Sequence, residues 1–462
     1  MRHLMAKRHN GPMPSDSGSG GPAWHNWAGN VAASPRRVVS PESAAEVAAE
    51  VRQAAADGQT IRMAGSGHSF TPAAVVDGVL LRPDRLTAIR SIDPAAGTAT
   101  VEAGCPLHVL NAELAARALS LANMGDIQVQ TVAGATQTGT HGTGRDVGGM
   151  AAQISGLELV LADGRIVTCS AESPDGGLPL AEGNFAGLLD AARVGLGALG
   201  IVTALTFRVV PSFLLEAREE PMSWSQVTSR LDELTADNEH FEFYWFPHSE
   251  GCLTKRNNRS HGPARPLPRW RYALDDEFLS NSVFGLANRV GRRIPAAIPA
   301  INSVSARALG SRSYVDTAYK VFTSPRRVRF KEEEYAIPRA ALSDVLAEVR
   351  SLFQRREWRI SFPIEVRVTP ADDVWLSTAY GRDSAYVAIH VFHSAPHAQY
   401  FDDVEAVMTS VGGRPHWGKM HTRDAAYLRG AYPRMADFVA LRDQLDPDRR
   451  FGNAYLRQVL GA

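Results

Sequence analysis

The chain reads as an α+β protein built from two domains, and two features of the sequence predict it. Up to Pro211, short helical and strand-like runs alternate around two glycine-rich loops; beyond it, longer strand-like runs with helices between them follow the pattern of a mostly antiparallel sheet. A length of 462 residues suits about two or three domains and leaves room for large buried cores.

The first helix is predicted over SPESAAEVAAEVRQAAADG, with Ser40 as N-cap, Pro41 at the first helical position, Val47 and Val51 one turn apart, and Asp57-Gly58 as the stop. TIRMAG then reads as a strand, and AIRSID and TATVEAG as two more, joined through a glycine-containing turn. PLHVLNAELAARAL is helical by the spacing of Leu107, Leu110, Leu114 and Ala118. ISGLELVL and RIVTC flank Asp163-Gly164 as a hairpin. NFAGLLDAARV places Phe185, Leu188, Leu189 and Ala192 on one helical face, and the β-branched run IVTALTFRVVP follows it. After Pro211, WSQVTSRLDELTADN predicts a helix, HFEFYWFP an aromatic strand, GPARPLPRW a proline-broken loop, and residues 277–310 a long helical insertion. RVRFKEEEYAI, FPIEVRVT and YVAIHVF read as strands, with a helix over 339–352.

Composition narrows the function. The 49 basic and 49 acidic side chains cancel, so no long-range positive field is set up for a nucleic acid. The local run Arg326, Arg327, Arg329 and Lys331 reads as a solvated face. Cys105, Cys169 and Cys252 are odd in number, far apart and without CxxC spacing, which supports neither a disulfide framework nor a zinc site and suits a reducing compartment. Residues 1–23, rich in Gly, Ser and Pro and without the apolar core of a signal peptide, are expected to form a disordered tail. No stretch approaches the roughly 18 consecutive apolar residues of a membrane span, so a cytoplasmic protein is expected. Neither an internal repeat nor a membrane-binding amphipathic segment is evident.

GLGALG at 195–200 matches GxGxxG by letter, but a helix precedes it and a strand follows, the reverse of a dinucleotide-binding turn. AGSGHS at 64–69 and TVAGATQTGTHGTG at 131–144 say more. Their glycines allow close backbone approach, and Ser66, Ser69, Thr136, Thr138, Thr140 and Thr143 supply neutral donors for a pyrophosphate. Neither loop carries a Walker lysine, so nucleotide hydrolysis is not indicated.

These loops resemble those of the vanillyl-alcohol-oxidase flavoprotein superfamily. With GLGALGIVT, FPIEVRV, RPHWGKMH and LDPDRRFGNAYL following in order, the chain from about Trp24 onward resembles the sugar-1,4-lactone oxidoreductases. That group holds L-gulonolactone oxidase and dehydrogenase and D-arabinono-1,4-lactone oxidase, with alditol oxidases as relatives. The resemblance implies a two-domain FAD-binding fold: residues 24–211 bind FAD, an α+β substrate domain over 212–412 caps the flavin, and 413–462 complete the FAD domain and active site. It implies that His68 carries FAD covalently, an imidazole nitrogen being a competent nucleophile for that bond. Gly65, Ser66, Gly67, Ser69, Thr131, Thr136, Gly139, Thr143 and Gly144 would contact FAD, Ile201 would lie against its adenosine portion, and His141 would be structural or meet a phosphate.

The implied reaction is oxidation of a sugar lactone at C2 by hydride transfer to flavin N5, which from L-gulono-1,4-lactone leads to an ascorbate-type enediol. Electrons would pass to oxygen or to a carrier such as a cytochrome or quinone, and peripheral membrane association is left open. Oxidation of an alditol such as xylitol or sorbitol is one alternative, and non-catalytic flavin binding another. On a strand, Glu365 and Arg367 share one face while Ile364, Val366 and Val368 take the other. A surface ion pair is the plainer reading of that pair, but beside a reduced flavin an arginine offsets negative charge that grows during reaction. The resemblance implies Glu365 as anchor of the substrate hydroxyl, Arg367 as anion stabiliser, Lys419 near flavin and substrate, and His390 as a substrate-polarising histidine; a core histidine is the other reading of His390. His416 and His421 have no third ligand in sight, so no metal site is expected.

Overall fold

The computed structural model describes residues 23–178, 187–308 and 310–462. The tail expected before Trp24, apart from Ala23, and Phe185 of the predicted helix NFAGLLDAARV lie outside them. After a short antiparallel pair, Trp24–His25 with Ala32–Ala33, come three parallel strands, Arg37–Val39, Val79–Leu81 and Ile61–Met63 in that spatial order. The loop 64–69 leaves the carboxyl end of Ile61–Met63, the end of a parallel sheet where ligands are usually held. A five-stranded antiparallel sheet follows, in the order Ile166–Ser170, Ile154–Val160, Ile201–Arg208, Thr98–Glu102, Ile89–Asp93. Its core is shared with the chain's last segment. Val101, Leu157, Leu205 and Phe207 pack in one cluster with Trp417, Leu428, Phe438, Leu441 and Leu456.

The larger sheet has eight antiparallel strands: Arg312–Thr317, Leu214–Ser223, Gly251–Ser260, His240–Trp245, Ile364–Thr369, Ser384–Phe392, Phe330–Pro338 and Arg414–Pro415. Side chains alternate across it with the period of a pleated strand. Phe241, Phe243, Ile364, Val366, Val387 and Ile389 point to one face and pack on the helices Leu342–Arg356 and Ala398–Ser410 through Leu346, Val349, Phe401 and Val404. The opposite face carries Glu242, Tyr244, Glu332, Glu334, Glu365, Arg367 and His390, all buried. Burying that many ionisable groups is costly unless they are paired, and it marks this face for chemistry.

The first helix runs Ala44–Ala56, and its N-cap is Ser43, not Ser40: the Ser43 hydroxyl accepts from the Glu46 amide at 3.2 Å, while Glu46 reaches back to the Glu42 amide at 2.9 Å. Leu214–Ser223 and Gly251–Ser260 form strands that the sequence pattern does not announce, the second because CLTKRNNRS lacks an apolar alternation. The insertion is helical from Arg269, with an eleven-residue π-helical stretch at Ala273–Val283.

Candidate active site

Two cavities meet along His68, Ser69, Gln130 and Thr138, which line both. The first holds about 930 Å³ of non-atom space and the second about 1280 Å³, counting their open mouths, so the pair suits an elongated, cofactor-sized molecule with room beyond it.

The small-residue loop at 64–69 forms one wall of the first cavity. Gly65 packs on Thr131, where a Cβ would collide with the hydroxyl, and Gly67 sits at φ +72°, a conformation that favours glycine. Thr131 caps the helix Val132–Gln137 by accepting from the Gly134 amide at 3.2 Å. Arg62, absent from the sequence reading, ties the walls together: its guanidinium donates to the carbonyls of Leu196, Gly197, Ala73 and Phe451 at 2.5–2.9 Å. The 195–200 turn thus forms the floor of this cavity, with Ile201 beside it. His68 lies against the Trp27 ring at 5.4 Å, and burial, with Lys419 adding to it, lowers its pKa to about 4, which leaves the imidazole neutral and nucleophilic near pH 7.

The second cavity is walled by the polar face of the large sheet. Arg367 donates from Nε to Glu242 at 3.0 Å, pairs with Glu365, and lies 3.6 Å from Asp126. Burial opposes its charge, yet Glu365, Glu242 and Asp126 hold its pKa well above the ordinary value. Asp126 also accepts from Arg326 at 2.7 Å, and Tyr244 donates to Glu365 at 2.9 Å. Burial pushes the Glu365 carboxyl up against the pull of Arg367, with Glu242 and Asp126 assisting. Across the cavity, Glu332 pairs with Lys419 and stands 3.3 Å from His390 Nε2, while the other ring nitrogen of His390 lies 3.3 Å from the Pro363 carbonyl. Despite burial, Glu332 and Glu334 keep Lys419 charged.

Glu365, Arg367, Lys419 and His390 therefore share one cavity, and Gly65, Ser66, Gly67, His68, Ser69, Thr131 and Ile201 line the other. Thr136, Gly139, Thr143 and Gly144 are not brought to either wall. The Thr136 hydroxyl is spent on the Val132 carbonyl at 3.0 Å inside its own helix. That of Thr143 donates to the Phe241 carbonyl at 2.5 Å and accepts from the Val368 amide at 3.2 Å, while the Gly144 amide donates to the Val368 carbonyl at 2.8 Å. This is a seam between the 131–144 loop and the large sheet. The Gly139 position faces Trp417 and Val194.

His416 does have companions the sequence did not show: its ligand-capable atoms lie within 4.8 Å of those of His141 and Glu334. Its Nδ1 accepts from the Gly418 amide at 3.0 Å, which puts the ring proton on Nε2 and leaves no lone pair there for a metal. His141 stacks on Tyr386 at 3.6 Å and sets Nε2 3.4 Å from Glu334.

A flavin nucleotide fits this lining on an observation independent of likeness: the Gln130 Oε1 acceptor, at the junction of the cavities, is buried without a hydrogen-bond partner, which a ligand N–H would supply. Residues 35–170 match the FAD binding domain family. A chain of this architecture with such a domain is a flavin-dependent oxidoreductase. Residues 205–459 match D-arabinono-1,4-lactone oxidase, and the chain belongs to that family. It is 42% identical to L-gulono-1,4-lactone dehydrogenase of Mycobacterium tuberculosis, over 95% of this chain and 99% of that one. It is 30% identical to L-gulonolactone oxidase of Bos taurus, over 95% and 98%. Cholesterol oxidase from B. sterolicum superposes with a TM-score of 0.78 at 18% identity, covering 97% of this chain and 99% of that one, a likeness of fold alone.

Proposed function

We propose that the protein oxidises a sugar-1,4-lactone of the L-gulono or D-arabinono type at C2, with FAD along the joined cavities and electrons passed on to oxygen or a carrier. The observation that carries this reading is the continuity of the glycine-lined cavity with one walled by Glu365, Arg367, Lys419 and His390. Bound there, FAD supplies the two-electron acceptor for a hydride leaving the substrate. Glu365, its carboxyl raised by burial, anchors the substrate hydroxyl and is placed to take its proton. Arg367 and Lys419 offset negative charge as it develops, in a site dry enough to make that worth several kcal/mol, about 2.7–4 for a comparable preorganised donor. His390 spends Nε2 on Glu332 and its other ring nitrogen on the Pro363 carbonyl, so it polarises a substrate only where the substrate displaces one of those partners.

His68 is the residue we assign to a covalent bond with the cofactor. Acid precipitation tests it: flavin retained in the pellet supports the bond, and flavin released to the supernatant removes it. We take residues 24–211 as the FAD domain, 212–412 as the cap and 413–462 as the segment that completes the FAD domain and the active site, and place the protein in the cytoplasm, where its buried free cysteines are stable. A turnover screen of lactones against alditols, with oxygen and with a dye acceptor, tests the substrate; alditol-only activity overturns it.

A further inference from the structure

The helix Phe284–Arg293 is turned inside out. Gly285, Asn288 and Gly291 face the protein, while Leu286 is 58% and Val290 40% exposed. A helix that serves a core buries its apolar stripe. Here small and polar residues make the attachment instead. Asn288 accepts from the Ser361 hydroxyl at 2.6 Å, Asn281 donates to the Pro325 carbonyl at 3.2 Å, and a Cβ on Gly291 would come within 2.9 Å of Ile298. The outward stripe continues beyond the helix through Leu279, Val283, Leu286, Val290 and Ile294, at steps of four, three, four and four residues, every member exposed by 40% or more.

Cations border the stripe. Arg289, Arg292 and Arg293 stand on the same helix with no acidic residue among them. Arg289 also lines an open cleft with Arg327, Arg329 and His393, part of the basic run that the sequence pattern alone assigns to a solvated face. The acids nearby are engaged: Asp275 with Arg271 at 3.3 Å, Asp276 with Arg312 at 2.8 Å and Glu277 with Arg327 at 2.7 Å. Among the described residues no ion pair holds Arg289 or Arg293.

Apolar side chains flanked by arginines are the chemistry of a segment lying in the interface of an anionic bilayer, where acyl chains cover the former and lipid phosphates meet the latter. A second copy suits the face less well, because a two-fold contact across this helix would bring its arginines together. We propose that the stripe and the adjoining basic cleft dock the protein on an anionic lipid surface. Phe284 lines the second cavity and Gly285 the cleft, so docking sets the reaction cavity next to the bilayer.

The test is co-sedimentation of the flavin-loaded full chain with vesicles of phosphatidylcholine alone and of phosphatidylcholine with phosphatidylglycerol, with and without inorganic phosphate. Binding to the second vesicles only, weakening with salt, is expected. Arg289→Gln with Arg293→Gln should weaken it roughly 25-fold, about 5-fold per arginine, and Leu286→Ser with Val290→Ser at least about 10-fold, with turnover in solution unchanged. Failure to sediment with anionic vesicles, or binding that both double variants retain, overturns the proposal. Displacement by inorganic phosphate with no effect of the apolar pair would leave only a phosphate site and overturns it too. Self-association abolished by the apolar pair would assign the stripe to a second copy instead.

Discussion

Replacing Arg367 by alanine separates the two things this side chain does. The wall around it holds the carboxylates of Asp126, Glu242 and Glu365 against the cations of Arg367, Arg326 and Lys255. Without Arg367 the acids outnumber the cations, and a buried pair broken on one side typically costs about 3–5 kcal/mol of stability. The same loss removes a cation beside the reacting atoms, which for a preorganised donor slows the chemical step by about 10² to 10³. Arg367→Lys keeps the charge but cannot reproduce the fork that meets Glu242 and Glu365 together. It should recover most of the stability and little of the rate. Anaerobic reduction of the bound flavin by L-gulono-1,4-lactone reads the rate, and thermal unfolding reads the stability. An unchanged reduction rate in Arg367→Ala that still holds flavin would refute the charge-offset role.

Glu332→Gln leaves an acceptor for Lys419 and His390 but removes the charge that holds the Lys419 pKa up, so the alkaline limb of the pH–rate profile should move to lower pH. Thr143→Ala should cost about 1–3 kcal/mol in denaturant unfolding, because the Val368 amide loses its partner, while flavin content stays the same. Burial depresses His68, His248 and His421 to about 4 and His416 to about 3, so the folded state keeps them neutral while the unfolded chain protonates below about 6.5. Their contribution to stability is whole above that pH and falls as pH drops towards 4. Asp372, held up to about 6, works in the opposite sense, as do Glu333, Glu365 and Asp446, raised by burial; His240, His393 and His397 are lowered as well, which sets seven imidazoles against four carboxyls. Urea midpoints should therefore fall from pH 7 to pH 5, and a rise would contradict this.

Where the chemistry lies on one strand it was legible. In FPIEVRV the alternation of acid, base and apolar residues places Glu365 and Arg367 on one face and Val366 on the other without further information. KEEEY obeys the same rule, but three consecutive acids show no alternation to say which face is which, and only the fold shows Glu332 and Glu334 turned into the cavity with Glu333 on the far side. Asp126 and Arg326 come from loops 200 residues apart, and no local pattern joins them. The threonines of the 131–144 loop are alike as donors in sequence. Which ones meet a ligand is decided by backbone partners such as Val132 and Val368, which claim Thr136 and Thr143 first. The stripe through Leu286 and Val290 has the spacing of a core helix, and its inversion follows from where the asparagines and glycines dock.

The central claim is that a flavin along the joined cavities takes electrons from a sugar lactone held by Glu365 and Arg367. Purified protein loaded with FAD, mixed without oxygen with L-gulono- or D-arabinono-1,4-lactone, should lose its yellow colour, and xylitol should leave it yellow. A protein that takes up no FAD, or whose colour only the alditol bleaches, contradicts the account.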